Sequence, residues 1–318
     1  VESIDSETKV KNALKIALVS VSAVILDAYA QYYITHKDLF RFYPSFQYRA
    51  TYTNIYNDLM WPMFLSIHLG FPTGPFPFPN DFSAWMLLIL MPALFLFTWG
   101  FKEWRKRYAI AFVLAPLLFL FYLANTRSAW LGFFISLFLV LIIQNKKRIL
   151  LVILLVTLIA TPFLPKDKLR DIFEYSTLHD RYYMWRIGWK AFMEHPVLGS
   201  GPNTFFTKFK RLREDKWKDL RGSHAHNGYL QIASDIGMIG LAIFLLIVAL
   251  VFYHSLAFIR RCKSMFYRSL AIGLLGGIFA FLIHSFFDTN LQSLPLVAFF
   301  WCALSLLMSL QYIYAEKT

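Results

Sequence analysis

Runs of about twenty apolar residues recur along this chain, and polar or basic stretches separate most of them. A helix needs roughly 20 such residues to cross a hydrocarbon core about 30 Å thick. The runs fall at 13–33, 83–101, 108–124, 127–144, 148–164, 237–258, 269–286 and 294–314. They predict an all-α integral membrane protein with about eight transmembrane helices, forming a single transmembrane domain over residues 1–318. Composition agrees, with 58% hydrophobic and only 16% charged residues; a soluble domain carries about 25% charged residues. Disorder, coiled coil and a disulfide scaffold are excluded, since Cys262 and Cys302 are too few for a framework. Trp61–Phe71 is apolar but short and broken by Pro62 and Gly70, which predicts an interfacial or re-entrant segment. The chain opens on Val1, and Val1–Lys11 is polar with mixed charge. A missing or processed N-terminus is therefore expected, with no cleavable signal peptide in view.

The net charge is +13, which in a membrane protein first reports topology rather than nucleic-acid binding. Lys102, Arg105, Lys106 and Arg107 lie between the second and third runs. Lys146, Lys147 and Arg148 separate the fourth and fifth, and Arg260, Arg261, Lys263 and Arg268 the sixth and seventh. The clusters fall on every second connection, so all of them are expected on the cytoplasmic side, with both termini. Two long hydrophilic segments, 34–82 and 165–228, then face outward. Structureless loops of that length are uncommon without a function. The first is rich in Tyr, Phe and Pro, a composition suited to lipid headgroups. The second holds 13 Lys and Arg against 8 Asp and Glu, on the side where such charge is disfavoured.

The outer face gathers the candidate chemistry. Arg127 opens an apolar helix; it serves either as a snorkelling anchor or as a planar guanidinium that grips phosphate with two parallel bonds. Asp180–Pro196 reads as an amphipathic helix with Trp185, Trp189 and Phe192 on one face, which predicts that this face lies in the membrane interface. That helix carries Arg181 and Arg186. Gly199-Ser200-Gly201 resembles a phosphate loop only in its glycines, for it lacks the following Lys-Ser/Thr. His224-Ala225-His226-Asn227 offers a weak metal pair without carboxylate or thiolate support, a general base, or a polar turn capped by Asn227 or Ser223. Asp288 either orients a base or an arginine, or is a solvated loop acid. No Asp-x-Asp, Gly-x-Ser-x-Gly or His-Glu-x-x-His occurs, so neither a metal-bound nucleotide sugar nor an esterase elbow has support.

Four of these features together resemble one family. His226-Asn227 followed after nine residues by Gly237-x-x-Gly240 is similar to the outer-loop signature of the O-antigen ligases, a family that includes lipid-linked glycan polymerases. Arg127-x-x-x-Leu131 resembles the family's arginine motif. Arg181 with Trp185, Pro196-Val-Leu-Gly199-Ser-Gly201 and Phe205 resembles its loop arginine region, and Pro79-Asn80-Asp81-Phe82 fits the approach to a span. The likeness runs over roughly 15–290. Two departures stand out. Leu241 occupies a position where ligases favour a small hydroxyl residue or Tyr, and about eight spans stand where such ligases have around twelve, so several N-terminal helices are expected to be absent.

The resemblance implies a GT-C-type glycosyltransferase of the bacterial inner membrane, working on its periplasmic face within lipopolysaccharide biosynthesis. Segments 34–82 and 165–228 become periplasmic loops, the larger one catalytic. The donor would be a glycan on undecaprenyl diphosphate, the acceptor a hydroxyl of lipid A-core, with membrane lipids as the other partner and neither metal, cofactor nor nucleic acid. His226, Arg127 and Arg181 would be catalytic; Arg186, Asn227, Asp288 and Asn80 would bind substrate. An O-antigen polymerase or a protein O-glycosyltransferase shares face and donor. A lipid-linked glycan transporter is the alternative outside enzymes, but it calls for paired broken helices or polar residues at the midplane.

Overall fold

The computed structural model describes residues 6–30, 32–33, 72, 74–76, 78–146, 148–149, 175–214 and 224–315. Among them every regular element is helical. The order is α1 (Glu7–Ala30), α2 (Pro79–Phe95, prolonged by a π-helical turn, Leu96–Gly100), α3 (Trp104–Leu123), α4 (Arg127–Ile143) and α5 (Tyr175–Glu194), followed by α6 (Phe205–Leu212), α7 (Gly228–Arg261), α8 (Met265–His284) and α9 (Leu294–Ala315).

This is an all-α integral membrane protein. Helices α1, α2 with its extension, α3, α7, α8 and α9 are each long and apolar enough to cross a bilayer, while α4 is as apolar but has 17 residues. The expected span at 148–164 lies almost wholly outside the described residues, as do Trp61–Phe71 and most of 34–82. The span expected from 237 does begin there. Helix α7 is two helical segments, 228–236 and the longer apolar one after it, separated by the non-helical backbone of Gly237 (φ 73, ψ −175).

Helix α8 sits at the centre, with nearly three quarters of its apolar window buried. Its small residues make that position possible, because membrane helices associate through close backbone approach rather than hydrophobic exclusion. A Cβ on Gly273 would stand 2.4 Å from the Cα of Pro92 in α2, and one on Gly277 would stand 2.9 Å from the Leu87 carbonyl oxygen. From α4, Gly132 approaches the Ala280 carbonyl in the same way. There the Ser136 hydroxyl also donates to the Gly276 carbonyl at 2.6 Å. A second, smaller core of Tyr183, Met184, Ile187, Phe205, Phe209 and Ala225 joins α5 and α6.

The basic connections gather at one end of the bundle. Arg107 Nε donates to the Phe97 carbonyl at 2.8 Å, Lys146 lies 5.7 Å from the Trp99 ring centroid, and the Phe101 and Phe266 rings meet at 5.3 Å. The Lys263 N–H donates to the Tyr314 hydroxyl at 2.9 Å. The opposite end carries the starts of α2, α4, α7 and α9, the ends of α3 and α8, and the α5–α6 unit.

Candidate functional site

Asp288 is the hub of that opposite end. It lies just past α8 and is 9% exposed, so it is not a solvated loop acid. The Asn80 amide donates to its Oδ2 at 2.5 Å, and the Thr289 backbone N–H donates to Oδ1 at 2.8 Å. Oδ1 also faces His226 Nδ1 at 3.6 Å, slightly beyond a hydrogen bond. Burial by itself would raise the Asp288 carboxyl. The adjoining His226, with His284 and Arg181 behind it, outweighs burial and holds the group below the usual carboxylate range.

Asn80 is held on both sides. Its carbonyl oxygen lies 3.3 Å from His284 Nε2; a carbonyl only accepts, so that nitrogen carries the proton. Its side-chain oxygen accepts from the Thr126 hydroxyl at 3.3 Å, which in turn accepts from Ser83 at 2.8 Å. Thr126 directly precedes Arg127, the first residue of α4, so this chain of bonds fixes the start of that helix beside Asp288. The Arg127 side chain itself is exposed.

His226 occupies an uncommon backbone state. Its φ of 49 lies in the left-handed region, which non-glycine residues enter only when their surroundings hold them there. Three contacts supply that hold. The Trp185 indole donates to the His226 carbonyl at 2.9 Å, the Gly228 N–H donates to the Ser285 carbonyl at 2.7 Å, and Asn227 Oδ1 caps α7 by accepting from the Leu230 N–H at 3.0 Å. His224, beside this turn, is pushed down by burial and by His226, against a smaller upward pull from Asp288.

The seven residues singled out in the sequence therefore divide. Asn80, His226 and Asp288 come together directly, and the Arg181 charge reaches both Asp288 and His284. Asn227 serves as a helix cap. Arg186 is joined to Glu214 and lies 5.6 Å from the Tyr183 ring centroid, binding α5 to the chain after α6. The aromatic face expected on α5 is corrected. Trp185 turns inward to hold His226, Phe192 is buried, and Trp189 alone of the three is exposed. A periodicity of i, i+4, i+7 marks a stripe, but it cannot say which side of the stripe meets protein.

The sequence reading missed a second anchorage. The bend at Gly237 leaves the carbonyls of Ser234 and Asp235 free to accept from Ser200 and Gly201 at 3.0 and 2.9 Å. It also lets Met238 and Ile239 donate to Pro196 and Val197 at 2.8 and 3.4 Å. The glycines are what permit this contact, since a Cβ on Gly237 would stand 2.1 Å from the Val197 carbonyl oxygen and one on Gly199 2.4 Å from Asp235. Gly237 thus both separates the two segments of α7 and docks the turn. Buried Lys208 closes that turn from below by donating to the Ser200 hydroxyl and, at 3.0 Å, to the Ala191 carbonyl. Asp235 is buried too, and the amides of Gln231 (3.1 Å) and Gln292 (2.9 Å) satisfy it. A carboxylate just before an apolar run was the sequence signal that pointed there. Among the described residues, no three His, Cys, Asp or Glu are grouped to hold a metal ion.

Residues 112–245 match the family model described as O-antigen ligase. That segment is similar to the O-antigen ligase family. It contains Arg127, Arg181, His226 and Gly237, whereas Asn80, His284 and Asp288 reach the site from outside it. A Rickettsia bellii (strain RML369-C) protein named "Putative polysaccharide ligase" is 27% identical over 195 residues, covering 54% of this chain. The chain spans about half the length of that curated relative, 47% of it being matched.

Proposed function

We propose that this protein transfers a glycan from undecaprenyl diphosphate to a hydroxyl of lipid A-core on the periplasmic face of the bacterial inner membrane. The observation that carries the reading is the oriented pair of His226 and Asp288 at the end of the bundle opposite the basic connections. Positive connections favour the cytoplasmic side, which leaves the pair facing outward, where lipid-linked glycans are joined to lipid acceptors.

Asp288, ionised and fixed by Asn80 and Thr289, favours the His226 tautomer with its proton on Nδ1. Nε2 is then the lone pair turned to the acceptor. As the acceptor oxygen forms its bond to the anomeric carbon, the carbon–oxygen bond to the diphosphate breaks and undecaprenyl diphosphate leaves with the electron pair. His226 Nε2 takes the acceptor proton. Charge building on the leaving diphosphate is met by Arg127 and Arg181, whose guanidinium groups need no proton exchange to do so.

Purified protein with lipid-linked donor and either lipid A-core or free repeat units tests the proposal. Extension of lipid A-core, lost in His226→Ala but retained largely in His224→Ala, is the expected outcome. A base acting in the transition state contributes about 10²- to 10⁴-fold, so the His226→Ala loss should fall in that range. Extension of the repeat unit alone would make the enzyme a polymerase, as Leu241 allows. An active His226→Ala protein would remove the base assignment.

A further inference from the structure

The α5 end and the turn after it carry an apolar surface that the reaction does not use. Trp189 is 56% exposed, Met193 55%, Val197 58% and Leu198 74%. Backbone bonds hold Pro196 and Val197 against Met238 and Ile239 of α7, themselves 58% and 49% exposed. The apolar strip is therefore continuous from a membrane-crossing helix onto the α5–α6 unit. A hollow of about 260 Å³, lined by Pro196, Val197, Met238, Ile239 and Ala242, lies on the seam.

Helix lengths fix the depth of this strip. Helix α8 has 20 residues and at 1.5 Å per residue spans about 30 Å, the thickness of the hydrocarbon core. Its outer end holds Gly228 through the Ser285 carbonyl, so Gly228 lies at the outer edge of that core. Helix α7 has 34 residues, more than this thickness requires. The stretch from Met238 to Arg261 already spans it, so the residues before the bend add length without adding depth. Met238, Ile239 and the turn docked on them consequently sit at the outer boundary too.

We infer that Trp189, Met193, Val197 and Leu198 insert into the outer leaflet, and that the hollow at the Gly237 bend takes the methylenes of a lipid acyl chain. The partner is the bilayer itself, because the strip is one surface with the lipid-facing side of α7. Interfacial elements of this kind bury their apolar face about 5–10 Å into the boundary region. The inference stands whatever the acceptor, and whether or not His226 is a base.

The test uses the full chain with Cys262→Ala and Cys302→Ala, reconstituted in nanodiscs of phosphatidylethanolamine and phosphatidylglycerol. Single Leu198→Cys, Trp189→Cys, Arg211→Cys and Leu246→Cys variants carry an environment-sensitive fluorophore. Lipids brominated near the headgroup end should quench the probes at 198 and 189 several-fold more than the probe at 211, with aqueous iodide showing the reverse order. The probe at 246 should respond instead to lipids brominated deep in the chain. Probes at 198 and 189 as open to iodide as the one at 211, and unaffected by brominated lipid, would overturn the inference. Quenching at 198 without quenching at 189 would overturn it for α5.

Discussion

Replacing Gly237 with alanine tests the docking of the Pro196–Gly201 turn on α7. With φ 73 and ψ −175, Gly237 lies in a region reserved almost wholly for glycine, so any side chain there costs about 1–3 kcal/mol of strain. The added Cβ also meets three backbone atoms, at 2.1 and 2.4 Å from Val197 O and C and 2.6 Å from Gly199 N. Backbone cannot rotate away, so the turn must retreat, taking with it the bonds of Ser200, Gly201, Met238 and Ile239. Each contributes about 0.5–1.5 kcal/mol net. Against these losses stands the roughly 1 kcal/mol by which alanine favours a straightened helix over glycine. The balance is a loss of about 2–8 kcal/mol, felt first where the turn meets the helix. Amide exchange at Ser200, Gly201 and Met238 should accelerate by about 30-fold or more, at tenfold per 1.4 kcal/mol. Gly201→Ala is the control. Its φ of 96 is equally strained, but its Cβ would meet nothing nearer than the Thr204 methyl at 3.6 Å, so it should lose only the strain energy, about 1–3 kcal/mol. Exchange in Gly237→Ala no faster than in Gly201→Ala would refute the assignment of Gly237 to close backbone docking.

Four further outcomes are expected. Arg127→Lys and Arg181→Lys keep the charge but lose the planar fork, so each should lower turnover about 30- to 1000-fold in a membrane transfer assay, the equivalent of roughly 2–4 kcal/mol; Arg186→Lys should be mild, since Glu214 already engages that side chain. Asp288→Asn should reduce turnover about 10²-fold or more with donor binding retained, because the neutral amide no longer selects the His226 tautomer; equal loss of donor binding would make Asp288 a structural residue only. The folded state binds the Asp288 proton more weakly than the unfolded chain does. Its stabilisation is therefore present above about pH 4 and is lost as pH falls through the folded value, so melting of the wild-type protein between pH 5 and pH 3 should fall more steeply than that of Asp288→Asn. Gly273→Leu should prevent accumulation of folded protein, because the new side chain has to displace Pro92, and overpacking of this kind costs about 1–3 kcal/mol or more; an unchanged melting temperature would contradict the α2–α8 contact.

The membrane helices were legible because the bilayer imposes one requirement everywhere, about 20 apolar residues per crossing. The basic clusters were legible for a similar reason, and the structure brings those it describes to one end. What escaped reading depends on pairs far apart in the chain. Asn80 and Asp288 are separated by 208 residues, and nothing local in either distinguishes a hub from a loop acid. Gly199 and Gly237 each look like ordinary turn or packing glycines until their backbones meet. Trp185 showed an aromatic at the right spacing but not that its indole N–H would be spent on the His226 carbonyl. The histidine turn itself was visible, with Asn227 filling the capping role that the sequence also offered for it.

Helix α8 has a consequence for how such a site can open. Glycine and alanine seat it so closely between α2 and α4 that an added methyl group at the contacts would clash with backbone. His284 ends that helix and Asp288 follows four residues later, so this half of the site hangs from a fixed post. Arg181 and Trp185 ride instead on α5, whose core with α6 is separate from the bundle. Under the proposed reaction, the wall left to widen for the substrates is the α5 side, which meets α7 where the Pro196–Gly201 turn is bonded to the bend. Entry and exit would then share that one wall.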